Sequence, residues 1–168
     1  MVLSLYSLQS WTCCLWWLYS SLRTHTAEAR GFWAVSIRHF GAAEHICAGS
    51  IIGREWVLTA AHCVDGLAPD ALKIVAGTTK LTGGGLSHQV TEVVVHESYD
   101  SYYVKNDVAL LKVSTIEFHP RLVAAISLDH EEIAAEVQCV LSGWGMTVYP
   151  GPVSDNLLYV NLTTAKTS

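Results

Sequence analysis

The chain has 168 residues, of which 51% are hydrophobic and 15% charged, and its formal net charge at neutral pH is −5. That balance lies outside the disordered range and supplies a core, while Lys and Arg are scattered without a basic run, which argues against nucleic acid and against an anionic membrane surface. No stretch of about eighteen apolar residues occurs, so no transmembrane helix is expected.

The first thirty residues differ in texture from the rest. "WTCCLWWLYSSL" (11–22) is an apolar run of signal-peptide length, and Ala27-Glu28-Ala29 offers a small-x-small cleavage pattern. No Lys or Arg precedes the run, and Arg23 and His25 stand between it and Ala29. Residues 1–30 are therefore read as an atypical segment, either signal-like or outside the fold.

From about Phe32 the text becomes short apolar runs separated by turn residues. Strands are expected at 33–39, 46–52, 56–59, 72–76, 89–95, 108–113, 122–126, 137–142 and 157–163. Between them lie Gly-, Pro-, Asp- and Ser-bearing stretches such as "VDGLAPD", "TGGG" and "VYPGPVSDN". Many short strands at this spacing predict an all-β barrel or sandwich. There is no internal repeat.

The run "WVLTAAHC" (56–63) breaks this pattern. Trp56 to Thr59 suits a buried strand. Ala60-Ala61 leaves room for a tight turn, so His62 is held by rigid structure, as a packed residue or as a working base. In "NDVALLKV" (106–113), Asp107 stands at the mouth of an apolar strand. There it is either a surface strand cap or a carboxylate taken out of water, which needs a partner. His62 could be that partner, with Nδ1–H toward the acid and Nε2 free to accept a proton. Joining Cys47 to Cys63 would close a loop of about fifteen residues, worth roughly 3 kcal/mol. A zinc site from His45, Cys47, His62 and Cys63 lacks the usual ligand spacings, so no metal is expected.

"GSIIGREWVLTAAHC", "NDVALLKV" and "LSGWG" (141–145), in that order, resemble the chymotrypsin/trypsin-like serine proteases. "FWAVSI" (32–37) looks like the first strand of that fold, with Phe32 where the family usually has proline. "GTTKLTGGGLSHQVTEVVVHESYD" resembles the secreted digestive members of insects. The resemblance runs from about residue 31 to the end. It implies a double β-barrel, with a nearly complete first barrel over 31–130 and the opening strands of a second over 131–168. It implies that His62 is the general base and Asp107 its orienting acid. Cys47 and Cys63 become the disulfide beside the histidine, and Gly143-Trp144-Gly145 marks an early strand of the second barrel. Tyr99, Tyr102 and Tyr103 fall in a loop that borders the substrate cleft in the family.

The resemblance also marks what these residues lack. The family takes its nucleophile and oxyanion donors from a G-D-S-G-G stretch well after G-W-G, and its specificity pocket from the same region. No such stretch occurs here, and Ser142 sits in the expected strand, so it is no substitute. Cys139 matches one half of a family disulfide and has no later partner, consistent with an odd count of five cysteines. The Ile-Val-Gly-Gly-like activation sequence is missing near residues 20–23, and a cut after Arg30 would free a terminus too close to the first strand. The loop 77–88 has no Asp or Glu, so the calcium site of some relatives is not expected. Asn161-Leu162-Thr163 is a glycosylation sequon inside an expected strand.

The reading is thus an incomplete chain of a secreted serine endopeptidase, acting on protein or peptide substrates and open to protein inhibitors, without cofactor, and inactive by itself. The alternative is a short, non-catalytic homologue that binds a partner, although binding alone would not require both His62 and Asp107.

Overall fold

The computed structural model describes residues 3–4, 25–26, 32–42, 44–130 and 133–165. The signal-like run at 11–22, the cleavage pattern at 27–29, and Arg23 and Arg30 lie outside the described residues. The strands are β1 (Leu3–Ser4), β2 (His25–Thr26), β3 (Ala34–His39), β4 (His45–Gly53), β5 (Trp56–Thr59), β6 (Leu72–Ala76), β7 (Leu86–Val95), β8 (Ala109–Val113), β9 (Leu128–Asp129), β10 (Gln138–Gly143) and β11 (Leu158–Thr163). Among the described residues, two short 3-10 turns, Ala61–Cys63 and Pro69–Ala71, complete the regular structure, and no α-helix occurs.

Six of these strands close a barrel in the order β3-β4-β5-β8-β7-β6, with β6 returning to β3. All six pairings are antiparallel. Alternation directs the side chains: in β8, Ala109, Leu111 and Val113 are buried, while Leu110 and Lys112 between them are half-exposed. The same period of two turns Val35 and Ile37 of β3 inward beside Ile51, Val57, Leu72, Ile74 and Val90. At Gly49 a Cβ would stand 2.7 Å from Val57 Cγ1, so β4 can lie this close to β5 only with glycine there.

The expected strands at 33–39, 46–52, 56–59, 72–76, 108–113, 137–142 and 157–163 are present to within a residue at each end. Two others differ. β7 starts at Leu86 rather than 89, because Gly85 turns the chain with φ +81° directly under the Ala76 carbonyl and pairing resumes at once. Residues 122–126 are not a strand. Their amides bond one at a time, Ala124 to the Phe32 carbonyl (2.9 Å) and Ile126 to that of Ile51 (2.8 Å). The barrel is already closed by Val113, so no edge remains for a further strand to join.

The second unit is a hairpin, β10 against β11, with β2 along the far side of β11. β1 pairs in parallel with β9. Trp144, immediately after β10, is fully buried with Ala34 and Leu157, and its indole N–H donates to the Thr79 carbonyl at 3.1 Å. Around it, Leu157 N–H donates to Thr79 O (2.6 Å) and Leu81 N–H to Asp155 O (2.9 Å). The Thr82 amide donates to the Asp155 carboxylate at 2.8 Å and holds that carboxyl below its usual range. One buried indole and a short ladder thus tie the hairpin to the barrel loop at 78–82.

Trp144→Ala is expected to cost about 3–5 kcal/mol. Hydrogen exchange should show where the loss falls: amides of β10 and β11 lose protection, while those of β3 to β8 keep theirs.

Candidate active site

The register of two neighbouring strands assembles the site. β5 pairs with β8 so that Thr59 faces Ala109. The residues just after Thr59 and those just before Ala109 therefore emerge at the same end of the barrel. Ala60 and Ala61 are small enough for the chain to turn tightly against the core, where Ala61 is fully buried. Val64 N–H donates to Ala61 O at 3.0 Å and closes the 3-10 turn, leaving the His62 side chain directed outward with 44% of its surface exposed. Cys63 is bonded to Cys47 of β4 across a Cα separation of 6.1 Å, which fixes the turn from its other side.

On the β8 side, Asn106 takes a left-handed conformation with φ +54°, a region that asparagine tolerates better than most residues. Its Nδ2 donates to Ser98 O at 2.8 Å, and Val108 N–H donates back to Asn106 O at 2.8 Å. This reversal turns Asp107 inward, and only 5% of its surface remains exposed.

The two side chains meet in a closed arrangement. The His62 backbone N–H donates to Asp107 Oδ1 at 2.8 Å, and the ring Nδ1 lies 2.7 Å from Oδ2. An ionised carboxylate only accepts, so Nδ1 carries the proton in this pair, and in the neutral imidazole Nε2 keeps its lone pair. Both carboxylate oxygens are satisfied, which offsets the desolvation of a buried charge. Nε2 lies 3.4 Å from Cys63 Sγ, a disulfide sulfur with no proton to give. The geometry leaves a base facing outward, its tautomer and orientation set from behind.

The same neighbourhood bears on metal binding. The sulfurs of Cys47 and Cys63 and a ring nitrogen of His62 lie within 4.8 Å of one another, but both sulfurs are committed to the disulfide and offer no thiolate. His45 stands outside this group. Its Nδ1 is 2.9 Å from Ser36 Oγ, and its ring meets Trp144 edge-on at 5.6 Å.

The tyrosines divide. Tyr99 is half-buried against the barrel core, and burial, followed by the carboxylates of Asp107, Asp65 and Asp100, pushes its phenol above the usual range. Tyr102 and Tyr103 are 84% and 66% exposed, their rings edge to face at 4.8 Å. The Asp100 carboxylate accepts both of their amides and shapes the loop. Cys139 is a half-buried free thiol in β10, and Asn161 is exposed on β11, paired with Val140.

One cluster escapes the motif reading. Arg38 is 7% exposed on β3, its Nε donating to Ser36 Oγ at 2.9 Å and its Nη2 buried with no partner. Burial lowers the His45 pKa, and the Arg38 charge lowers it further. The signal lay in "AVSIRH", where alternation puts Ser36 and Arg38 on the face opposite Val35 and Ile37.

With this geometry in view, comparisons with known proteins agree on one relationship. The trypsin family profile matches residues 22–168. Trypsin epsilon of Drosophila erecta is 36% identical over 130 residues, which cover 76% of this chain and 50% of that protein. Trypsin delta of Drosophila melanogaster is 30% identical over 131 residues, covering 77% and 51%. The chain thus spans about half the length of the curated relatives it matches. Among solved structures, human heparin binding protein superposes with a TM-score of 0.77 at 23% identity, over 87% of this chain and 66% of that one, a likeness of fold.

Asp107→Ala leaves the His62 amide without an acceptor and is expected to destabilise the chain by about 1–3 kcal/mol. Asp107→Asn, which keeps an oxygen for that amide, should cost less. Urea denaturation midpoints of the two variants measure the difference.

Proposed function

This chain belongs to the trypsin family, as its match over residues 22–168 shows, and on that footing we propose that it is the base-bearing part of a secreted serine endopeptidase. The observation that carries the reading is the doubly hydrogen-bonded pair of His62 and Asp107. In the proposed mechanism, Nε2 of His62 takes the proton of a serine hydroxyl as that oxygen attacks the peptide carbonyl. The imidazolium then returns the proton to the leaving amine, and the acyl-enzyme is hydrolysed by water activated the same way. Asp107 holds the ring in the required tautomer and offsets the positive charge that forms on it. Cys47–Cys63 keeps the turn from swinging away, and a disulfide there suits an oxidising, extracellular setting.

The nucleophile belongs, in this reading, to sequence beyond these 168 residues. Among the described residues, no serine hydroxyl is hydrogen-bonded to His62. The oxyanion donors and specificity pocket are assigned to the same missing stretch, and Cys139 is assigned a partner there. Tyr99, Tyr102 and Tyr103 are proposed to border the path of a polypeptide substrate, and protein inhibitors of this enzyme class would approach by the same path. No helix among the described residues is long and apolar enough to cross a membrane.

A fluorophosphonate probe, which esterifies an activated serine, tests the proposal. The 168-residue chain is expected to remain unlabelled and to hydrolyse a peptide ester no faster than its His62→Ala variant. The natural gene product should label at a serine beyond residue 168, and His62→Ala there should slow labelling by about 10²-fold or more. A natural product of 18.3 kDa that never labels would instead favour a non-catalytic binding protein.

A further inference from the structure

Strands β10 and β11 pair in a register that sorts their side chains onto two faces. Cys139, Leu141 and Gly143 share one face with Leu158, Val160 and Leu162. Gln138, Val140 and Ser142 share the other with Tyr159, Asn161 and Thr163. The first face holds no polar side chain but a thiol, while the second carries the amides and hydroxyls. That is the division of an antiparallel sheet with one covered and one solvated side. Any further chain that packs on this sheet gains by covering the apolar face, and the polar face is left to water. Toward Trp144 the polar face closes, because Tyr159 packs against Ala34, Trp144 and Leu157. At Asn161 and Thr163 it is exposed. Thr163 Oγ1 accepts from Gln138 Nε2 at 2.7 Å, whereas the Asn161 amide makes no side-chain hydrogen bond among the described residues.

Asn161-Leu162-Thr163 is the one N-x-S/T sequence among the chain's three asparagines, and its middle residue is not proline. We propose that Asn161 carries an N-linked glycan. The proposal rests on the secreted reading, because the transferring enzyme and its donor, an oligosaccharide on a lipid pyrophosphate, belong to the secretory pathway. In the transfer a bond forms between Asn161 Nδ2 and the first sugar carbon. The bond from that carbon to the pyrophosphate oxygen breaks, and one amide proton leaves to the medium. The strand is no obstacle. Before β11 pairs, residues 158–163 are extended chain open to the enzyme. Once β11 lies between β10 and β2, the Asn161 side chain stands off the sheet on its polar side, away from both neighbouring backbones. A bulky, hydrated group there adds solubility and displaces no packed side chain.

The test expresses the full 168-residue chain in eukaryotic cells behind a cleavable secretion signal, so that it enters the pathway whatever its own first residues do. Its intact mass should lie one glycan above 18.3 kDa, and an endoglycosidase should remove the difference from the folded chain without denaturant. Asn161→Gln and Thr163→Ala should each abolish the shift, while Thr163→Ser, which keeps the hydroxyl, should retain it. Circular dichroism of Asn161→Gln should match that of the parent after deglycosylation. The proposal is overturned by an unmodified parent chain, by a shift that survives Asn161→Gln, or by a glycan released only after unfolding. The natural gene product, expressed with its own N-terminus, tests the secreted reading separately. Retention of that product inside the cell overturns the secreted reading, whatever the first experiment shows of the site.

Discussion

A buried carboxylate that accepts two hydrogen bonds from one residue is the constraint around which this molecule is organised. Asp107 takes the main-chain N–H of His62 on one oxygen and the ring Nδ1 on the other, at 2.8 and 2.7 Å. Either bond alone would leave a lone pair buried and unmet. To make both, the chain must bring residues 45 positions apart within hydrogen-bond distance at two points at once. The closed barrel does this by the pairing of β5 with β8, and the left-handed turn at Asn106 and the Cys47–Cys63 bond hold the two ends in place. Barrel closure and site geometry are therefore one requirement.

Much of this was legible in the residues because it is local or periodic. The barrel strands read as alternating apolar runs, and the run of strand, two alanines, histidine and cysteine announced a clamped turn. His62 and Asp107 could be paired from the chemistry of a carboxylate at the mouth of an apolar strand, and the family resemblance supplied their roles. What was not legible depends on contacts that sequence periodicity does not encode. Residues 122–126 have strand composition but arrive after the barrel has closed, so they bond singly to Phe32 and Ile51 instead. The pairing of β2 with β11 joins segments more than a hundred residues apart, and nothing in "HT" signals it. The Ser36, Arg38 and His45 cluster arises only when β3 and β4 come into register, Arg38 opposite His45.

The two units of the fold are held differently. The barrel has a continuous apolar interior and no edges, which is a self-sufficient arrangement. The hairpin depends on one buried indole, a few hydrogen bonds to the loop at 78–82, and the short β2 strand along one side. Its other side, β10, has no strand beside it among the described residues. His62 and Asp107 both flank strands of the closed barrel, so their pairing does not depend on the hairpin.

The most direct test of this account is the tautomer of His62 in the 168-residue chain, read from long-range proton–nitrogen correlations of its ring. The account predicts a neutral imidazole with its proton on Nδ1 and a bare Nε2, held without help from any serine. A proton on Nε2, or rapid exchange between the two tautomers, would mean that Asp107 does not set the ring, and the central claim would fall.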